Sequence, residues 1–275
     1  HGLLEKENDN DQVWCFSHDK IQSAAFNLIY ASKRDIFRGN IGHILLEHLD
    51  QDELESSLFE VVSLCNCAMA TISDKTERKE LASLNLRAGI KATNNASFDS
   101  AAIYFKAGHK LLGSSGWEID SPTMLKLCSE GANACYICGE LDICNTFIDE
   151  VMCQDIPIID KYRVYEVKIQ ACDSAGRLHE AFNTGLEFRR LLLGSRGSRL
   201  RNRPANTFTI IKEFMKIHHV LKNMTAEELA NLPELSPVKD KRIIMDQEIL
   251  RLIVPSVYSV STIFLREFLR KLGLC

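Results

Sequence analysis

Ser17-His18-Asp19 brings a hydroxyl, an imidazole and a carboxylate together in consecutive positions. The aromatic run Trp14-Cys15-Phe16 precedes them, and an amphipathic helical pattern from Lys20 to Leu28 follows. Ser17 reads as an N-cap whose hydroxyl accepts a first-turn amide, and Asp19 in that turn complements the positive end of the helix dipole. His18 is then held at a helix mouth, in a polar and geometrically fixed position. The plainer reading, a histidine that only completes a cap or packs beneath it, uses the same three residues.

Other residue groupings offer less. Cys135-Tyr136-Ile137-Cys138 has redox or zinc spacing, but it lies in a helical run with Cys128 and no second pair stands at a zinc-like distance. These cysteines, and Cys65-Asn66-Cys67, read as small buried hydrophobes. His218 and His219 are adjacent in an apolar helical pattern and so face different directions, which argues against a shared metal. Gly108-His109-Lys110 runs into Leu111 and has no partner glycine, so no phosphate loop exists and the segment is not expected to hydrolyse ATP by itself. No metal or cofactor is assigned to it. Arg189, Arg190, Arg196, Arg199, Arg201 and Arg203 form the one dense basic cluster. A solvated linker is its simplest reading, with Arg196, Arg199, Arg201 and Arg203 the candidate contacts to an anionic partner. Without aromatic platforms no nucleic acid is expected.

Helical periodicity positions all of these. Ile36, Phe37, Ile41, Ile44, Leu45 and Leu49 recur at helical spacing, Asp50 to Asp52 end the run, and Leu54, Leu58, Phe59, Val62 and Cys65 begin another. Three later segments share one punctuation: Ala96-Ser97-Phe98-Asp99-Ser100-Ala101, Gly139-Glu140-Leu141-Asp142-Ile143-Cys144 and Gly176-Arg177-Leu178-His179-Glu180-Ala181. Their starts lie 43 and 37 residues apart, with helix-length patterns on either side, as antiparallel helix pairs stacked in a row require. Ala101, Cys144 and Ala181 would let paired helices approach, and Phe105, Phe147 and Phe182 would supply bulk there. Gly194 to Pro204 is rich in Gly, Ser and Arg and reads as a linker, after which helical pattern resumes from Phe208, with later breaks at Pro233, Pro237 and Pro255.

The 275 residues, 45% hydrophobic and 25% charged, have ordinary globular composition, and a net charge of -4 supplies no basic field for nucleic acid. Ten cysteines without a leader point to a reducing, cytoplasmic setting, in which the sequons at Asn95 and Asn223 carry no glycan. Leu252 to Leu265, the most apolar window, is short and broken by Pro255, so no membrane span is expected. The chain starts at His1 without a methionine and is expected to be cut from a longer protein.

The paired segments resemble degenerate tetratricopeptide (TPR) repeats without their regular Trp, Tyr and Pro positions. Phe16-Ser17-His18-Asp19-Lys20-Ile21-Gln22-Ser23-Ala24-Ala25-Phe26-Asn27-Leu28-Ile29 resembles a junction in large signalling proteins that join a kinase-like domain, a signal-transducing AAA-type (STAND) ATPase, helical repeats, a GAF domain and a histidine kinase. Leu84-Asn85-Leu86-Arg87-Ala88-Gly89 is similar to that family's first repeat, and Met224 to Leu235 to its later helical region. The resemblance implies an all-α chain, a right-handed TPR-like helical-hairpin solenoid with the remnant of a winged helix at its start. Residues 1–31 would end the winged-helix subdomain of an ATPase, 32–194 form the repeats, 195–207 the linker and 208–275 a C-terminal helical region.

By the same resemblance, His18 would sense nucleotide by contacting an ADP phosphate, with Asp19 supporting the helix end and Ser17 capping it. The segment would be a non-catalytic sensor arm of a two-component signal-transduction protein. ATP or ADP with Mg would sit in the neighbouring ATPase domain in cis, and a protein or small-molecule effector on the repeats. The alternative is a passive repeat scaffold for protein binding, without nucleotide coupling. A phosphoacceptor box centred on His18 is set aside, because Lys20-Ile21-Gln22-Ser23 lacks the Arg and Pro with which such a box continues.

Overall fold

The computed structural model describes residues 3–6, 14–194, 225, 236 and 240–253. Among these the chain is helical apart from one antiparallel ribbon, in which β1 (Leu4–Lys6) pairs with β2 (Trp14–Phe16). It divides into two compact units, 1–127 and 128–275.

In the first unit the ribbon leads into α1 (Asp19–Asn27), α2 (Arg34–His48), α3 (Gln51–Ser56), α4 (Leu58–Cys67), α5 (Lys75–Asn94) and α6 (Phe98–Leu112). Asp50 both stops α2 and starts α3. Its carboxylate accepts from the backbone amides of Asp52 and Glu53, while Glu53 returns a bond to the Asp50 amide, a reciprocal capping box. Leu58, Val61, Val62, Cys65, Ala82 and Phe105 are shielded from solvent, and each large side chain so buried stabilises by about 1.5–3 kcal/mol. The α5–α6 pair closes around a notch, because a Cβ on Gly89 would lie 2.4 Å from the Phe105 ring.

Helix α7 (Gly116–Ile137) runs through the unit boundary and is bent where Asp120 leaves helical geometry. The Asp120 carboxylate accepts from the Thr123 amide at 3.2 Å and so caps the continuing helix. Pro122 lies in that first turn, where a missing N–H costs little. In the second unit follow α8 (Leu141–Met152), α9 (Tyr162–Ser174) and α10 (Leu178–Leu193), and residues 241–253 are helical. Tyr165, Ile169, Phe188 and Leu192 form a core with Ile249 and Ile253 of that last helix. Ile253 reaches α10 at Gly185, where an added Cβ would meet it at 2.5 Å.

The three punctuated segments are all helix–turn–helix joints with one bonding scheme. Ser97, Glu140 and Arg177 each donate their amide to the carbonyl five residues back, on Ala92, Cys135 and Cys172, across a residue at positive φ: Ala96 (56°), Gly139 (79°) and Gly176 (72°). Ala101, Cys144 and Ala181 are fully buried, as their small size predicts. Phe105 and Phe147 are buried beside them; Phe182 is half-buried and packs against the core of the third pair, in which Phe188 is fully buried. No helix among the described residues is long and apolar enough to cross a membrane.

Candidate functional site

The ribbon–helix junction is built from backbone bonding. Register pairs Leu4 with Phe16, and the Ser17 amide continues the pairing by donating to the Leu3 carbonyl at 3.1 Å. The chain is still extended at His18 (φ -161°, ψ 141°), whose carbonyl then accepts from the amides of Ile21 and Gln22. His18 itself is therefore the N-cap: its Nδ1 accepts from the Lys20 amide at 3.1 Å. This corrects the assignment of the cap to Ser17, whose amide is held in the ribbon one residue too early to serve the first turn. Asp19 is the first helical residue and exposed, placed to complement the helix dipole.

Accepting at Nδ1 uses a lone pair there and leaves Nε2 as the ring's N–H donor. His18 is exposed, and its Nε2–H can donate one hydrogen bond to an oxygen anion brought to the start of α1. The residues present thus fit a single phosphate contact.

Around this junction the surface is apolar. Helix α1 buries none of its residues, and α2 buries only Gly39 and Gly42, which let it approach Cys65 on α4 and Ala68 just past its end. Leu28 is 86% and Tyr30 77% exposed, and Leu3, Phe16, Phe37 and Ile44 are exposed as well. A groove of about 610 Å³ opens among β2, α1, α2 and α4, with Phe16, Phe26, Ile29, Phe37, Ile41 and Leu64 in its walls. The pattern Phe26, Leu28, Ile29, Tyr30 preceding Ile36 and Phe37 could have signalled more apolar surface than the neighbouring elements cover.

The remaining candidates are dispersed. Arg196, Arg199, Arg201 and Arg203 lie outside the described residues, as do His218 and His219. Arg189 is not available to an external anion: it holds Asp246 through two bonds, at 2.5 and 3.0 Å, with both side chains mostly buried. Cys135 is buried and directs its thiol at Glu140 Oε2 at 3.7 Å, and Cys138 is half-buried. Burial pushes the Cys65 and Cys144 thiols up to about 11 and raises Cys128 further, so these are packing groups and not nucleophiles. Gly108 packs against Leu127 inside unit one.

Arg78 was not read from the sequence as functional, and its Nε, Nη1 and Nη2 donate to the carbonyls of Leu111, Ile72 and Lys110, closing the end of α6. Glu55 is held below the usual carboxylate range by hydrogen bonds from Arg87 and Lys91 on the exposed side of α5. Both are structural ties between elements far apart in sequence, which no local motif announces.

No protein-family model and no solved structure matches the chain. A stretch of 113 residues is 34% identical to hybrid signal transduction histidine kinase G of Dictyostelium discoideum. The match takes in 35% of the chain and 3% of that relative's length, a distant and partial similarity.

Proposed function

We propose that this chain is a non-catalytic regulatory arm of a multidomain signalling protein of the ATPase–histidine kinase kind. Its TPR-like repeats, residues 32–194, would bind a protein or small-molecule effector and form a right-handed solenoid. Residues 1–31 would complete the winged helix of an AAA-type ATPase in cis, with 195–207 a linker and 208–275 a C-terminal helical region. ATP or ADP with Mg would belong to that neighbouring domain, and a cytoplasmic setting suits the many reduced thiols.

The observation that carries the reading is the exposed Nε2–H of His18, fixed by the Nδ1 cap at the start of a helix in an uncovered apolar surface. Partial similarity to a histidine kinase supports the signalling context. When ADP is bound, its phosphate supplies the negative charge and His18 the donor. An effector that prefers one arrangement of the repeats shifts the nucleotide equilibrium by the ratio of its two affinities.

Two substitutions in the whole protein test this. His18→Ala removes cap and donor, while His18→Ser keeps a cap acceptor but cannot reach the phosphate. Both should speed ADP release, on the order of tenfold for one lost bond to a charged group, and raise basal kinase output. ADP release sped by neither change refutes the coupling and leaves a passive scaffold. An effect of His18→Ala alone shows that His18 is only a cap.

A further inference from the structure

Helix α1 has nine residues, none buried, yet its C-terminal end is held. Arg34, the first residue of α2, donates Nε to the Ile29 carbonyl at 3.1 Å and Nη2 to the Asn27 carbonyl at 3.3 Å. Its guanidinium also stands 5.3 Å from the centre of the Phe26 ring, and Arg38, one helical turn on, approaches the same ring at 4.8 Å. The Asn27 carbonyl ends the helix without a partner in it, Ile29 lies two residues past that end, and a planar fork can serve both carbonyls at once where an ammonium cannot. The cation–ring contacts add to the hold.

Among the described residues the rest of the packing of α1 is loose, with Ile21, Ala25, Phe26 and Ile29 only half-buried. The space between α1 and the α2–α4 pair is the open groove, with Phe26 and Ile29 on one wall and Phe37, Ile41 and Leu64 on the other. No close-packed core has to be broken for α1 to shift. His18 stands at one end of α1 and the Arg34 attachment at the other, about 13 Å apart for nine residues.

We propose that Arg34 is the coupling residue of the junction, the attachment through which a displacement of the His18-bearing helix is passed to α2 and so to the helices behind it. The coupling role rests on the reading of His18 as a nucleotide contact; the attachment itself does not. The contact between α2 and α4 is tight at Gly39 and Gly42, so a movement of α2 cannot be absorbed there.

Amide hydrogen exchange tests both parts. In the chain without nucleotide, Arg34→Ala should speed exchange across α1 by roughly tenfold or more, for two lost charge-assisted bonds, with α5 and α6 unchanged. Unchanged exchange in α1 overturns the attachment; should Arg34→Ala fail to fold, Arg34→Lys, which keeps the charge without the fork, is measured in its place. In the whole protein, α2 should exchange at different rates with ADP and with a non-hydrolysable ATP analogue. Arg34→Ala should erase that difference while ADP release stays at the wild-type rate. A difference that survives in Arg34→Ala, or none in the wild type, overturns the coupling. A difference that depends on Arg34 but not on His18 refutes only the nucleotide role of His18.

Discussion

The side-chain amides of Asn66 and Asn85 exchange two hydrogen bonds, 2.8 and 2.9 Å long, between α4 and α5. Asn85 is fully buried and gives a further bond to the Leu81 carbonyl at 2.9 Å. Planar amides can pair this way in one register only, so the two helices cannot slip without stranding a buried polar group. Asn85→Ala should lower stability by about 2 kcal/mol, read from the urea midpoint of the chain. Asn85→Asp should cost more at pH 7 than at pH 4, because a carboxylate buried there resists ionisation. Equal loss at both pH values would show that the site is wet.

The three turns predict opposite responses to one kind of change. Ala96 holds a left-handed conformation that Gly occupies in the other two turns. Ala96→Gly should therefore stabilise the first unit by about 1 kcal/mol, and Gly139→Ala and Gly176→Ala should destabilise the second by about as much. Thermal unfolding of the three variants checks the signs.

Gly89→Ala should force the Phe105 ring out of its notch and cost about 1–3 kcal/mol as an overpacking change. Adding Phe105→Leu should recover part of that loss, since the two sites share one contact. Additive losses would mean that the helices part instead of the ring.

Arg189 and Asp246 join α10 to the helical stretch 241–253 beside Ile249 and Ile253. Removing either partner leaves a mostly buried charge unpaired, so Arg189→Ala should cost roughly 3 kcal/mol and speed limited proteolysis near residue 240. The exchange Arg189→Asp with Asp246→Arg should restore much of the protection.

Burial raises the folded Cys65 and Cys144 thiols to about 11, above their ordinary range near 9. Below pH 9 both thiols are protonated folded or unfolded and nothing is lost. As pH rises from 9 through 11 only the unfolded chain ionises them, so stability falls across that window. Urea midpoints at pH 7, 9 and 10 should decline in that order. In the native chain at pH 8, the exposed Cys15 and Cys153 should be alkylated well before Cys65 and Cys144.

Helix type and the hairpin joints were legible because they rest on local rules. The apolar spacing from Ile36 to Leu49 and the small or left-handed residue at positions 96, 139 and 176 act within a few residues of themselves. The junction was legible in kind, since a polar trio after an aromatic strand must cap a helix. Its exact cap was not: whether Ser17 or His18 takes it depends on how far the ribbon with Leu3 extends, a contact fourteen residues away.

The sequence by itself determined which stretches are helical and where the hairpin joints fall, because periodicity and turn geometry are short-range. Only tertiary structure decided that Asn66 meets Asn85, that Arg34 reaches back to Asn27 and Ile29, and that Arg189 is engaged by Asp246. It also decided that Phe188 is fully buried in the core of the third pair while Phe182 packs half-buried against it. Such pairings depend on the angle and register at which whole helices pack, which are set by the summed fit of many side chains and not by the pattern along any one of them.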